Sequence, residues 1–142
     1  MFDGVVNSVD LIYVEPEHLG RWAERVRPHL DKMSAASSGR YLRTDLLIEL
    51  AAGRMQLWVV VEGPALMCVM VTEIKQFPRC REMWLIGLVG HRPHKWMHLL
   101  QAIEVVAKRD FRCDKMTALH LPRFAVMLPG YRLTHCLSEK PL

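Results

Sequence analysis

The chain has 142 residues, of which 51% are hydrophobic and 24% charged, and carries a formal net charge of +4 with its histidines neutral. That length predicts one domain, residues 1–142, with a core large enough to need no staples. No apolar run approaches the ~20 residues that span a bilayer, and no long block of like charge marks a nucleic-acid tail.

In chain order, residues 8–14 favour a strand through Val9, Leu11, Ile12, Tyr13 and Val14. Pro16, flanked by Glu15 and Glu17, opens a helix striped by Leu19, Trp22, Ala23 and Val26. Pro28 is expected to end or kink it, leaving Leu30 and Met33 to a second short helix. Residues 34–39 are small and polar and read as a mobile loop. Thr44 or Asp45 then caps a helix through Leu46, Leu47, Leu50 and Ala51, with Gly53 at its C-terminal stop. Residues 56–61 and 65–74 are strands about the turn Glu62-Gly63-Pro64. Residues 83–89 form a nearly continuous apolar run, as in a strand buried on both faces. These three make an antiparallel meander.

After the basic turn from Gly90 to Lys95, a helix is predicted from Trp96, with Leu99, Leu100, Ile103, Val106 and Ala107 at helical spacing. Residues 116–121 give a strand parallel to 83–89, joined to it by a right-handed crossover. Residues 122–128 read as a short helix stopped by Pro129-Gly130, and 131–138 as a last strand. The expected class is α/β: a twisted, mostly antiparallel sheet with one parallel β-α-β pair, flanked by helices.

The chemistry concentrates where the strand at 83–89 ends. Arg92, His94 and Lys95 lie at a helix start, where cations and the helix dipole together suit an anion. His91 stands at the carboxyl end of that strand, and Glu73 and Glu82 lie on the meander. These three are the candidates for a general base, each weighed against an ordinary solvated or satisfied side chain. His91, His94 and His98 fall at i, i+3, i+7, but Pro93 favours a loop there and no acid completes a zinc signature, so no metal site is assigned. Cys68, Cys80, Cys113 and Cys136 form no CxxC pair and are read as reduced thiols. Cys113 has no histidine–acid pair beside it and reads as a packed thiol. The start, Met1-Phe2-Asp3-Gly4, lacks a signal-peptide pattern, and a cytoplasmic protein is expected. Nucleic-acid binding rests on charge alone and is not favoured.

The order β, α, α, β, β, β, α, β, α, β resembles the GNAT-type N-acetyltransferase fold over nearly the whole chain. The strand at 83–89, its basic loop and the helix from Trp96 look like that family's acyl-CoA-binding segment. Ala125 followed by Gly130-Tyr131 looks like its late helix and final strand. The resemblance implies acyl transfer from acetyl-CoA to an amine, with the cofactor at Val89, Gly90, Arg92, His94, Lys95 and Trp96. In the family, a loop Gln/Arg-x-x-Gly-x-Gly/Ala holds the pyrophosphate on backbone N–H groups. Here the window is Arg92-Pro93-His94-Lys95-Trp96-Met97. Arg92 fits, but Lys95 and Trp96-Met97 stand where small residues belong, and Pro93 removes a donor. The family's late-helix tyrosine falls at Leu128-Pro129, and Tyr131 is expected to pack. The C-terminal wording is similar to small GNAT-like proteins of tailed bacteriophages. The alternative is therefore an inactive GNAT-fold protein with protein partners in an assembly, in the host cytoplasm or a virion.

Overall fold

A computed structural model describes residues 8–119, 128–134 and 137–142. Within them one five-stranded sheet runs in sequence order: β1 (Val9–Val14), β2 (Met55–Glu62), β3 (Ala65–Gln76), β4 (Arg81–Gly90) and β5 (Lys115–Ala118). The first three pairings are antiparallel and β4–β5 is parallel. Helices α1 (Leu19–Ala36) and α2 (Arg43–Ala51) cover one face, and α3 (Leu100–Arg109) packs on the other. The expected α/β architecture is therefore present.

Coverage of both faces explains the continuous apolar runs of β2 and β3. In β4, expected to be buried on both faces over residues 83–89, only Met83 and Leu85 are buried, because Trp84 and the residues from Ile86 onward line an open cavity. Along β2, the residues facing α1 and α2 (Leu57, Val59) alternate with those facing α3 (Trp58, Val60), and all four are buried. One polar chain is sealed inside. Trp58 Nε1 donates to Thr72 Oγ1, which donates to Gln56 Oε1, each at 2.9 Å. Thr72 and Gln56 are also cross-strand partners.

Several sequence expectations need correction. Helix α1 runs unbroken through Pro28, so Leu30 and Met33 do not form a second helix. The lost bond would have joined Pro28 to the Glu24 carbonyl; both residues are exposed, and water can take that carbonyl. Meanwhile Val26, Leu30 and Met33 are buried and hold the two halves in line. The helix consumes the first part of the expected loop, leaving a turn in which Ser38 and Gly39 adopt positive φ. Asp45 does not cap α2 from the cap position. It sits three residues inside and accepts from the Leu42 N–H at 2.8 Å. Gly53, with φ +76°, stops α2 as expected.

The α3 region differs most. In place of a helix from Trp96, two 3-10 turns (Pro93–Lys95 and Met97–Leu99) precede a helix that starts at Leu100. The strand expected at 116–121 is β5, with His120 and Leu121 outside the described residues. The expected helix at 122–128 lies outside them except for Leu128. The expected last strand is not formed at 131–134 or 137–138. Tyr131 is instead fastened to α3, its hydroxyl donating to Glu104 Oε2 at 2.7 Å.

Gly90 is where β4 meets the first 3-10 turn. A Cβ there would lie 2.8 Å from the Met67 carbonyl oxygen and 3.0 Å from the Trp96 ring. Gly90→Ala is expected to cost about 1–3 kcal/mol of stability through overpacking against backbone. Urea denaturation checks this, and an unchanged midpoint would mean that Trp96 yields freely.

Candidate functional site

The parallel pair is short. β5 partners β4 only from Glu82 to Leu85, and the last contact is the Leu119 N–H on the Leu85 carbonyl at 3.2 Å. Next to this point β4 bulges. Leu85 pairs with Thr72 and Gly87 with Val71, so Ile86 is the extra residue. Beyond Leu85 the described residues supply β4 with no second strand partner. The gap opens onto a cavity of about 1090 Å³. Its walls are largely apolar, including Met33, Leu85, Leu88, Met97, Leu119 and Leu137.

The closed end of this V is tied by Glu82. Its Oε1 accepts from Thr117 Oγ1 at 2.7 Å and Trp84 Nε1 at 3.1 Å, and its Oε2 accepts from Cys80 Sγ at 3.2 Å. Lys115 adds an ion pair at 3.9 Å. The Thr117 bond, foremost among these, holds the Glu82 carboxyl below its ordinary range against the opposing effect of burial. Glu82 does not line the cavity. Glu73 does, with Lys75 and Trp84. Its carboxylate pairs with Lys75 Nζ at 3.2 Å, and that ammonium lies 5.1 Å from the centre of the Trp84 ring.

At the open end, Val89, Gly90 and Trp96 line the cavity, whereas His91, Arg92, His94 and Lys95 do not. Trp96 is 2% exposed and forms a wedge between the end of β4 and α3; its Nε1 donates to the His91 carbonyl at 2.8 Å. Lys95 Nζ is held by both carboxylate oxygens of Glu62, at 3.1 and 3.3 Å. Arg92 is exposed, with φ +56°. The His91 imidazole lies close enough to His29 on α1 to help lower the His29 pKa, after burial and Lys32. His91, His94 and His98 do not converge on a common point. Among the described residues, Glu15, Glu17 and His18 do bring ligand atoms together, and all three are exposed.

The rim carries residues that the sequence reading did not single out: Lys32, Arg40, Tyr41, Lys75 and Trp84. Lys75 had a signal, because a period of two along β3 puts it on the same face as Glu73. Trp84 sat inside an apolar run and read as core. Arg40 pairs with Glu139 at 3.1 Å, and the Ser38 hydroxyl also donates to Glu139, so the chain end is fastened at the cavity mouth. Tyr131 packs against α3, and burial together with Glu104 raises its pKa far above the ordinary phenol value. Cys68, Cys80 and Cys113 form no disulfide; burial pushes the Cys68 thiol up to about 12. No described helix is long and apolar enough to cross a membrane.

A sheet with one splayed parallel pair, a bulge beside the splay and helices on both faces defines an acetyltransferase type of architecture, and solved structures bear this out. An aminoglycoside acetyltransferase from an uncultured soil metagenomic sample, in complex with sisomicin, superposes with a TM-score of 0.70 at 8% identity, covering 96% of this chain and 97% of that one. A GNAT family acetyltransferase from Staphylococcus aureus gives 0.66 at 16% identity, covering 95% and 99%. A predicted acetyltransferase with acetyl-CoA from Clostridium acetobutylicum gives 0.62 at 9%, covering 94% and 96%. The chain has the fold of the GNAT acetyltransferases. No family profile and no curated protein sequence matches it.

Proposed function

We propose that the protein is an acyltransferase that passes an acyl group from a pantetheine thioester, acetyl-CoA in its simplest form, to an amine held in the cleft. The observation that carries this reading is the end of the β4–β5 pair at Leu85 and Ala118, beside the bulge and open to the cavity. A pantetheine arm is a slender, extended chain with two amides. The edge of β4 beyond Leu85 offers such a chain a strand-like partner, and the apolar walls exclude water that would hydrolyse a thioester. When bound, the thioester supplies an activated carbonyl: a C–N bond forms, the C–S bond breaks, and the products are an N-acyl amine and a thiol. The presence of acetyl-CoA in the structure of the predicted acetyltransferase from Clostridium acetobutylicum is consistent with this.

The chain's own residues prepare the amine. Only a neutral nitrogen is nucleophilic. The apolar walls disfavour a cation by desolvation, and Lys32 on the lining adds to this, while Lys75 and Arg40 are already paired with Glu73 and Glu139. Of the three candidate bases, Glu73 is the one on the cavity wall, and it takes the role of proton acceptor in this reading. Trp84 and Tyr41 give the acceptor side an aromatic wall.

Calorimetric titration with acetyl-CoA is expected to give a dissociation constant below about 1 mM, and Glu73→Gln to lower turnover by about 10²-fold or more with binding retained. No heat at millimolar ligand would discard the reading. The engaged loop amides and the Lys95–Glu62 pair favour one alternative, a GNAT-fold protein without acyl transfer that serves an assembly such as a phage particle. That protein would bind no thioester at all.

A further inference from the structure

We propose that the cleft recognises its donor by the pantetheine arm and not by the nucleotide pyrophosphate, so that it takes simple pantetheine thioesters as readily as coenzyme A thioesters. This rests on the acyltransferase reading above. A pyrophosphate is held on a loop by backbone N–H groups that point outward and are otherwise free. Around the end of β4 four of them are engaged, and those of Arg92 and His94 are left without a backbone acceptor among the described residues. The His91 N–H donates to the Met67 carbonyl at 3.1 Å, Lys95 to Arg92 at 3.0 Å, Trp96 to Pro93 at 3.1 Å and Leu99 to Trp96 at 2.8 Å. Pro93 has no N–H to offer.

The space is engaged as well. Close approach of phosphate oxygens to a strand end needs the room that small residues leave. Here the Trp96 indole fills it, so tightly that a Cβ on Gly90 would lie 3.0 Å from the ring. Helix α3 begins only at Leu100, which is 5% exposed, behind two 3-10 turns. Its positive end is therefore not presented at the strand terminus.

Charge points the same way. Lys95 is half-committed geometry for a phosphate in sequence but a closed ion pair in space, both Glu62 oxygens lying on its Nζ. An incoming pyrophosphate would have to displace a carboxylate or approach it. Among the described residues of this turn, what remains for the nucleotide is His91, Arg92 and His94, all exposed. Exposed charges give weak, salt-screened attraction. The arm, by contrast, has the edge of β4 and a largely apolar cavity.

The test compares S-acetyl-pantetheine with acetyl-CoA by calorimetry on the full chain, at low salt and at about 0.5 M salt, where exposed charges are largely screened. The expected result is that both bind, with dissociation constants within about tenfold at low salt and converging at high salt. Acetyl-CoA binding more than about tenfold tighter at high salt would overturn the inference while leaving the acyltransferase reading intact. Binding of neither would overturn both.

Discussion

Trp96→Ala is expected to remove about 3–5 kcal/mol of folding stability, the range for deleting a large aromatic side chain from a core. The indole is 2% exposed and joins a cluster with Leu85, Leu100 and Ile103. It also satisfies the His91 carbonyl and fills the space above Gly90. In the chain it stands between the two 3-10 turns. Trp96→Phe keeps much of the bulk and drops the hydrogen bond, and should cost about 1–2 kcal/mol. Guanidinium denaturation of both variants checks this. A loss under about 1 kcal/mol for the alanine variant would mean that the loop collapses into the gap and that the wedge is dispensable.

The second large effect belongs to Glu82. Replacing it by glutamine keeps the shape but puts an amide against Thr117, Trp84 and Cys80, all of which donate to the carboxylate. The expected cost at neutral pH is about 1–3 kcal/mol. The pH dependence is the sharper signature. The Glu82 carboxyl is held below its ordinary range in the folded state. Its contribution is therefore complete above the unfolded value, about 4.3 for a glutamate, and is lost as pH falls through the lower folded value. Wild-type stability should decline on acidification below about pH 5, and the difference between wild type and Glu82→Gln should shrink over that window. If the two curves stayed parallel down to pH 3, Glu82 would not be the clamp that closes the V.

Much of the fold was legible because burial on two faces writes itself into sequence. The apolar runs of β2 and β3 and the helical spacing of Leu100, Ile103 and Ala107 left few alternatives for those elements. The errors share a cause: tertiary contacts that overrode local signals. Pro28 does not end the helix here, because Glu24, whose carbonyl loses its partner, is exposed while Val26, Leu30 and Met33 are buried on both sides of the proline. Trp96 read as the first residue of a helical stripe, yet its ring turns back to cap the end of β4, and helix formation waits until Leu100.

The candidate site was legible by location and less so by residue. Val89, Gly90, Trp96 and Glu73 do meet at one cavity. Glu82 lies one two-residue step nearer the hairpin than Trp84, the partner of Glu73, and so falls outside the cavity wall. Because β3 and β4 run antiparallel, Glu82 pairs opposite Lys75 at the far end of the ladder from Gly90. Lys95 could not be discounted from sequence, since its partner Glu62 comes from the end of β2, 33 residues earlier. Neither pairing has a local signature.

The sheet's spatial order repeats its sequence order, and this bears on how the chain assembles. Each of the first four strands finds its partner in the next or the previous stretch of chain, so β2, β3 and β4 can zip up as successive hairpins with little loop-closure entropy. β5 must wait for α3 before it can reach β4, as β1 and β2 must be brought together across α1 and α2. The cleft therefore lies at the seam between an early-forming meander and a late-arriving strand.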